Sequence, residues 1–195
     1  MTSTTETGAE NPALETSFGE RFVFRATAAE TDGELLRMDT FLDAGGGVRR
    51  PLHAHPKQEE RFIVHDGVLG LSLDGDEQLI EAGEEATVTA DTPPTFWNGS
   101  EEALHITTEH RPALRFGEFI RAMVQLDREN GLNTEGMPAN PFVAAMLITE
   151  FADEMQPSDI PVPVQRVLFP VLSTVGRFLG YRPPQYRAEQ SATHG

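Results

Sequence analysis

The chain has 195 residues, with 31 Asp and Glu against 15 Lys and Arg and a formal net charge of −16. A surface this acidic repels nucleic acid and anionic membranes, whose recognition rests on clustered Lys and Arg; the one lysine is Lys57. The absence of cysteine excludes a disulfide framework, a thiolate metal site and a cysteine nucleophile, and a hydrophobic share of 38% excludes a wholly disordered chain.

No apolar segment approaches the roughly 18 residues needed to cross a bilayer. No charged start followed by an apolar run marks a signal peptide. A soluble, cytoplasmic protein is therefore expected. The acidic, lysine-poor balance fits a halophilic protein, whose carboxylates hold water while salt screens their repulsion. It fits equally a genome that writes Arg for Lys.

Residues 1–17, rich in Thr, Glu and Ala, lack apolar periodicity and read as an N-terminal tail. From Arg21 the pattern becomes one of short strands separated by turn signals. RFVFRATA and GELLRMDTFL flank an Asp-Gly turn, and a Gly-rich loop follows at Asp43. ERFIVHD, then VLGLSLDGDEQLI with a hairpin turn at Asp74-Gly75, then EEATVTA, TFWN and ALHITTEHR continue the series as far as Pro112. Strands at this spacing predict a sandwich or barrel.

Beyond Pro112 the apolar period changes from two to about 3.6. Phe116, Phe119, Ile120, Met123 and Leu126 mark one helical face, which Asn130-Gly131 ends. Asn140-Pro141 supplies an N-cap and an N1 proline for a second helix over FVAAMLITEFADEM. A third begins near Pro163 and carries an apolar stripe from Val164 to Leu179, with Pro170 expected to kink it and Gly180 to stop it. That stripe needs a cover, either the barrel or a partner chain. Residues 183–195 read as a C-terminal tail.

The chemistry concentrates between Gly47 and Gly67. His53 and His55 are two residues apart, so in a strand both imidazoles face one side. A carboxylate from the neighbouring strand can join them, and two His with one carboxylate is a ligand set for a non-haem metal. Gly47, His53, His55, Glu60 and Gly67 stand in the spacing of the first motif of the cupin superfamily, glycine, five residues, His-x-His, four residues, Glu, six residues, glycine. Pro56 and Phe62 are also usual there. The chain thus resembles a cupin. GERFVFRATAAETDGELL, EHRPALRFGEFI and the closing RFLGYRPP resemble an uncharacterised group of microbial cupin-domain proteins with a helical extension.

The resemblance implies a mainly β fold. A cupin (double-stranded β-helix, jelly-roll) barrel occupies residues 18–112, and an α-helical extension occupies 113–182. It implies a divalent metal at His53, His55 and Glu60, with Fe, Mn, Zn and Ni undistinguished. The second cupin motif is of the right length between Gly83 and Asn98, but Pro94 stands where the fourth ligand, a histidine, belongs, and proline has no donor atom. Three readings of the site follow. The three residues hold the metal alone; another residue, from among His105, Glu109 and His110, replaces the lost ligand; or no metal binds, and the histidines bond each other, Glu60 or an organic ligand. His105 and Glu109 share one face of the last strand and His110 takes the other.

Around this site, Phe96 and Trp97 read as packing, His65 as a surface residue, and Arg49 and Arg50 as partners of surface carboxylates more than as anion receptors. Two functions stay in view. One is a cupin that binds a small organic molecule in its barrel; the other is a metal-dependent enzyme of oxygenase or isomerase type. A homodimer joined through the Val164–Leu179 stripe is expected, with no nucleic-acid or membrane partner.

Overall fold

The computed structural model describes residues 12–49, 51–73 and 75–186. Residues 1–11 and 187–195 of the expected tails, with Arg50 and Asp74, lie outside the described residues. The strands are β1 (Leu14–Glu15), β2 (Glu20–Ala26), β3 (Leu36–Leu42), β4 (His53–Ala54), β5 (Glu59–Asp66), β6 (Val68–Leu73), β7 (Asp76–Glu81), β8 (Glu85–Val88), β9 (Pro94–Asn98), β10 (Leu104–Arg111) and β11 (Gln156–Pro157). The helices are α1 (Phe116–Arg128), α2 (Pro141–Glu150) and α3 (Val162–Phe178).

A six-stranded sheet in the order β1-β2-β3-β10-β5-β8 faces a three-stranded sheet, β7-β6-β9. Alternation along β5 and β10 decides what lies between them. Glu60, Phe62 and Val64 point inward with Leu104, Ile106, Thr108 and His110, while Arg61, His65, His105 and Glu109 point outward. Phe62, Val64, Leu69, Leu71, Leu104 and Ile106 form the core between the sheets, and Phe96 packs on Phe62 at 5.3 Å. Burying each such side chain contributes roughly 1.5–3 kcal/mol. Trp97 lies across from Gly70, where an added Cβ would meet the indole at 2.2 Å, so only glycine admits the ring. Both aromatics are thus packing residues. The stretch read as an N-terminal tail ends in order, since Leu14 and Glu15 pair with Phe22 and Arg21.

The same inner face continues past the barrel. Phe22, Phe24, Leu36 and Met38 of β2 and β3 pack against Phe116, Phe119 and Leu126 of α1 and Leu147 and Phe151 of α2. The extension therefore closes one end of the sheet. α2 begins as expected, with Asn140 Oδ1 accepting from Phe142 N and Val143 N and Pro141 at the first turn. It is shorter than its apolar run, because Phe151 leaves the helix to enter the core. α3 runs on through Pro170, so the expected kink does not interrupt the element. Gly180 stops it at φ +93°: Gly180 N bonds Arg177 O and Tyr181 N bonds Gly176 O, a Schellman ending. Among the described residues, no helix is long and apolar enough to cross a membrane.

α3 turns an unexpected side inward. Gln165, Phe169, Ser173 and Gly176 are its buried residues, packed on α2, while the Val and Leu stripe, apart from the partly buried Leu172, is left exposed. The reason is close approach. A Cβ on Gly176 would meet Phe142 at 2.6 Å, so the small-residue side is the one that fits.

Candidate metal centre

β4 and β5 carry the His-x-His pair and its carboxylate to the end of the barrel that the extension covers. His53 Nδ1 lies 2.9 Å from Pro51 O, and His55 Nδ1 lies 2.6 Å from Glu154 O. A carbonyl only accepts, so each neutral ring donates from Nδ1 and keeps its lone pair on Nε2. This is the arrangement by which a backbone carbonyl orients a metal-binding imidazole. His55 Nε2 then stands 3.5 Å from Glu60 Oε2, and both atoms are buried without a hydrogen-bond partner. The His53 and His55 rings meet edge to face at 5.1 Å.

His110 completes the group. Its cross-strand partner in the β10–β5 pair is Glu60 itself, and His110 Nε2 is 3.6 Å from Glu60 Oε1. One donor atom from each of His55, Glu60 and His110 falls within 4.8 Å of the others. The three residues are 3%, 4% and 1% exposed, whereas His53 is half-buried. Of the three candidates for the missing ligand, His110 is the one that faces inward; His105 and Glu109 point away. Pro94 packs in β9 and offers nothing to the group.

The electrostatics follow from burial. Burial opposes charge on Glu60, but the His55 contact and the fields of His55, His110 and His53 outweigh it and hold the carboxyl at about 2. Burial likewise opposes charge on His55, yet Glu60 and the Glu154 carbonyl raise its pKa on balance. Burial drives His110 down to about 3, with Glu60 opposing and His55 and His53 reinforcing. The group thus presents an ionised carboxylate beside a neutral His110, with unsatisfied donor atoms aimed at one another. Unsatisfied buried polar atoms cost about 1–3 kcal/mol each, and a shared cation removes that cost. The donor set of nitrogens and carboxylate oxygen suits Fe, Mn, Zn or Ni.

The extension supplies the lid. β11 pairs with β4 antiparallel, Pro157 opposite His53, and Ser158 N bonds Leu52 O. Glu154, whose carbonyl holds His55, is itself fixed by Arg115 N on Oε1 at 3.0 Å. The Phe116 ring lies 4.0 Å from His110 and 5.2 Å from His55. Sequence reading did not find Glu154 or Phe116 as parts of the site. One acts through its backbone, and the other reads as an ordinary member of an apolar helix face. Arg49 pairs with Glu77 at 2.5 Å and lies over Trp97 at 4.0 Å, so it joins a surface carboxylate as expected.

Residues 40–108 match the family described as the cupin domain. The chain therefore carries a cupin domain. It is 34% identical over 89 residues to a quercetin 2,3-dioxygenase of Bacillus subtilis (strain 168), a match covering 43% of this chain and 26% of that protein. The chain thus spans about a quarter of the length of this relative. Among solved structures, an RmlC-like cupin from Shewanella frigidimarina aligns at a TM-score of 0.48 and 16% identity, over 60% of this chain and 96% of that one. KdgF from a Halomonas species aligns at 0.45 and 14%, over 52% and 88%. The interior group joins His55 and Glu60, at the positions of the first motif, to His110 of β10.

Proposed function

We propose that the protein is a metal-binding cupin in which His53, His55, Glu60 and His110 hold a divalent cation and a small organic molecule is taken at the half-buried His53 side. The observation that supports it is the convergence of donor atoms from His55, Glu60 and His110, of which His55 Nε2 and Glu60 Oε2 are buried and unsatisfied. A cation there supplies a Lewis-acid centre. The protein's own part is to hold two imidazoles by backbone carbonyls, keep Glu60 ionised and exclude water with Phe116 and β11. The near-complete burial of three ligands favours binding over turnover. The 34% identity to a dioxygenase keeps oxygenase- or isomerase-type chemistry as the second reading. Metal analysis of tag-free protein, purified without chelator, is expected to find one divalent ion per chain. Wild-type protein free of stoichiometric metal, and unable to take it up, would refute the reading.

The outward face of α3 belongs with this proposal, as the contact between two copies. From Ile160 to Arg182 there is no Asp or Glu, in a chain of net charge −16, so this face is free of the carboxylate repulsion that keeps two copies apart elsewhere. Val167 is 67% and Phe178 91% exposed, leaving an apolar stripe of the kind that marks a protein contact. Light scattering should give a dimer mass for the wild type and a monomer mass for a Val167→Glu, Val171→Glu double variant. A monomeric wild type at tens of micromolar would exclude the dimer.

A further inference from the structure

The outward face of the six-stranded sheet carries a second cluster with the same chemistry. Asp39 on β3, His65 on β5 and His105 on β10 each bring one donor atom to within 4.8 Å of the others. The strands are adjacent, with Thr107 of β10 lying between Asp39 and Ile63 in the register. A register shift next to His105 lets that ring lie over the neighbouring strand, where His65 meets it at 4.7 Å. His105 Nε2 is shielded from solvent, has no hydrogen-bond partner, and stands 4.0 Å from Asp39 Oδ2.

The surroundings hold these groups in a form that takes a cation. Thr107 Oγ1 donates to Asp39 Oδ1 at 2.7 Å and lies 2.7 Å from His65 Nε2. Its single hydrogen is spent on Asp39, so it accepts from the Nε2–H of His65, and Nδ1 is the atom of that ring left to hold a cation. The His105 ring is clamped on its other side by Phe41 at 4.2 Å, with the Arg21 guanidinium stacked beyond at 3.7 Å from Phe41. Partial burial lowers the His105 pKa, helped by His65 and Arg21 and opposed by Asp39 and Asp66. Thr107 and Arg25 keep the Asp39 carboxyl below its ordinary value despite burial. Neutral imidazoles beside an ionised carboxylate are the ligand forms that bind transition metals.

We propose that Asp39, His65 and His105 form a second, surface site for a divalent transition cation such as Zn²⁺. It is separate from the interior centre and does not depend on it, because its residues point out of the opposite side of the sheet. Arg25 competes for the site, since its Nε holds Asp39 Oδ2 at 2.7 Å. A bound cation takes that oxygen, and the two arginines of β2 keep the affinity modest.

The test is calorimetric titration of Zn²⁺ into protein stripped by chelator, with thermal unfolding as the check on folding. A His65→Ala, His105→Ala double variant should lose one equivalent of Zn²⁺ relative to wild type. The same equivalent should persist in a His53→Ala, His110→Ala variant, whose interior group is dismantled. An undiminished stoichiometry in the first variant, or loss of the equivalent in a folded second variant, overturns the proposal. Arg25→Gln, which frees Asp39 Oδ2 without replacing a ligand, should tighten binding several-fold. A ligand-independent, structural role for the cluster predicts no such gain, and unchanged or weaker binding counts against the site.

Discussion

Replacing His110 by alanine is expected to empty the interior centre while leaving the barrel folded. The loss of affinity should be at least about 100-fold, since second-shell changes alone cost about 10–100-fold. The imidazole is the one group of β10 that faces Glu60 across the strand pair, and Pro94 leaves no replacement in β9. Its pKa of about 3 keeps it neutral through the physiological range, so a shift of pH near neutrality should not mimic the substitution. His105→Ala is the control. It lies on the same strand with the opposite direction, and interior metal content should not change. Dialysis removes the weakly held surface cation that His105 would share, so metal per chain afterwards reads the interior centre in both variants. A His110→Ala protein that keeps its full complement would show that His53, His55 and Glu60 suffice.

How much of this could be read from the chain depends on which contacts are local. The five residues from Gly47 to Gly67 are close in sequence, so their spacing alone brings His53, His55 and Glu60 together from the consecutive strands β4 and β5 and the turn between them. His110 is different. Strand parity puts it on the face opposite His105 and Glu109, but parity does not say which face is inward. That is settled when β10 pairs with β5 in the register His110 to Glu60, a contact 50 residues apart along the chain. The Asp39, His65 and His105 cluster is hidden for the same reason, because three strands must be ordered side by side before it exists. A lone surface histidine was the natural reading of His65, and it is exposed as expected; its neighbours were not legible.

The helical extension was legible in length and caps and illegible in orientation. Asn140 acts through its own side chain and Pro141 and Gly180 through their own backbone, and they start and stop helices where the sequence implies. The direction of α3 is a matter of fit against α2, where Gly176 permits contact and a larger residue would not. An apolar stripe marks a face that wants covering, but nothing in its period says whether the cover is the same chain. The two-residue strand β11 has no sequence signal at all. It exists because Glu154 and Ser158 tie residues 154–158 to the His53 strand through backbone groups.

That strap and Phe116 make the extension part of the site, and this has a measurable consequence. Phe116 is 6% exposed, its ring lies on His110, and it also packs on Phe119. Phe116→Ala is expected to cost about 3–5 kcal/mol, the range for deleting a buried phenylalanine. In a chain of this size that lowers the unfolding midpoint by about 10 °C. The same cavity opens the way to the ligands, so metal loss to excess chelator should speed up by more than the stability change alone explains. Phe116→Leu restores most of the volume and should recover most of the stability and slow exchange together. If instead Phe116→Ala were destabilised while its metal left no faster than from wild type, the ring would be a core residue only. Access to the centre would then run along the exposed side of His53.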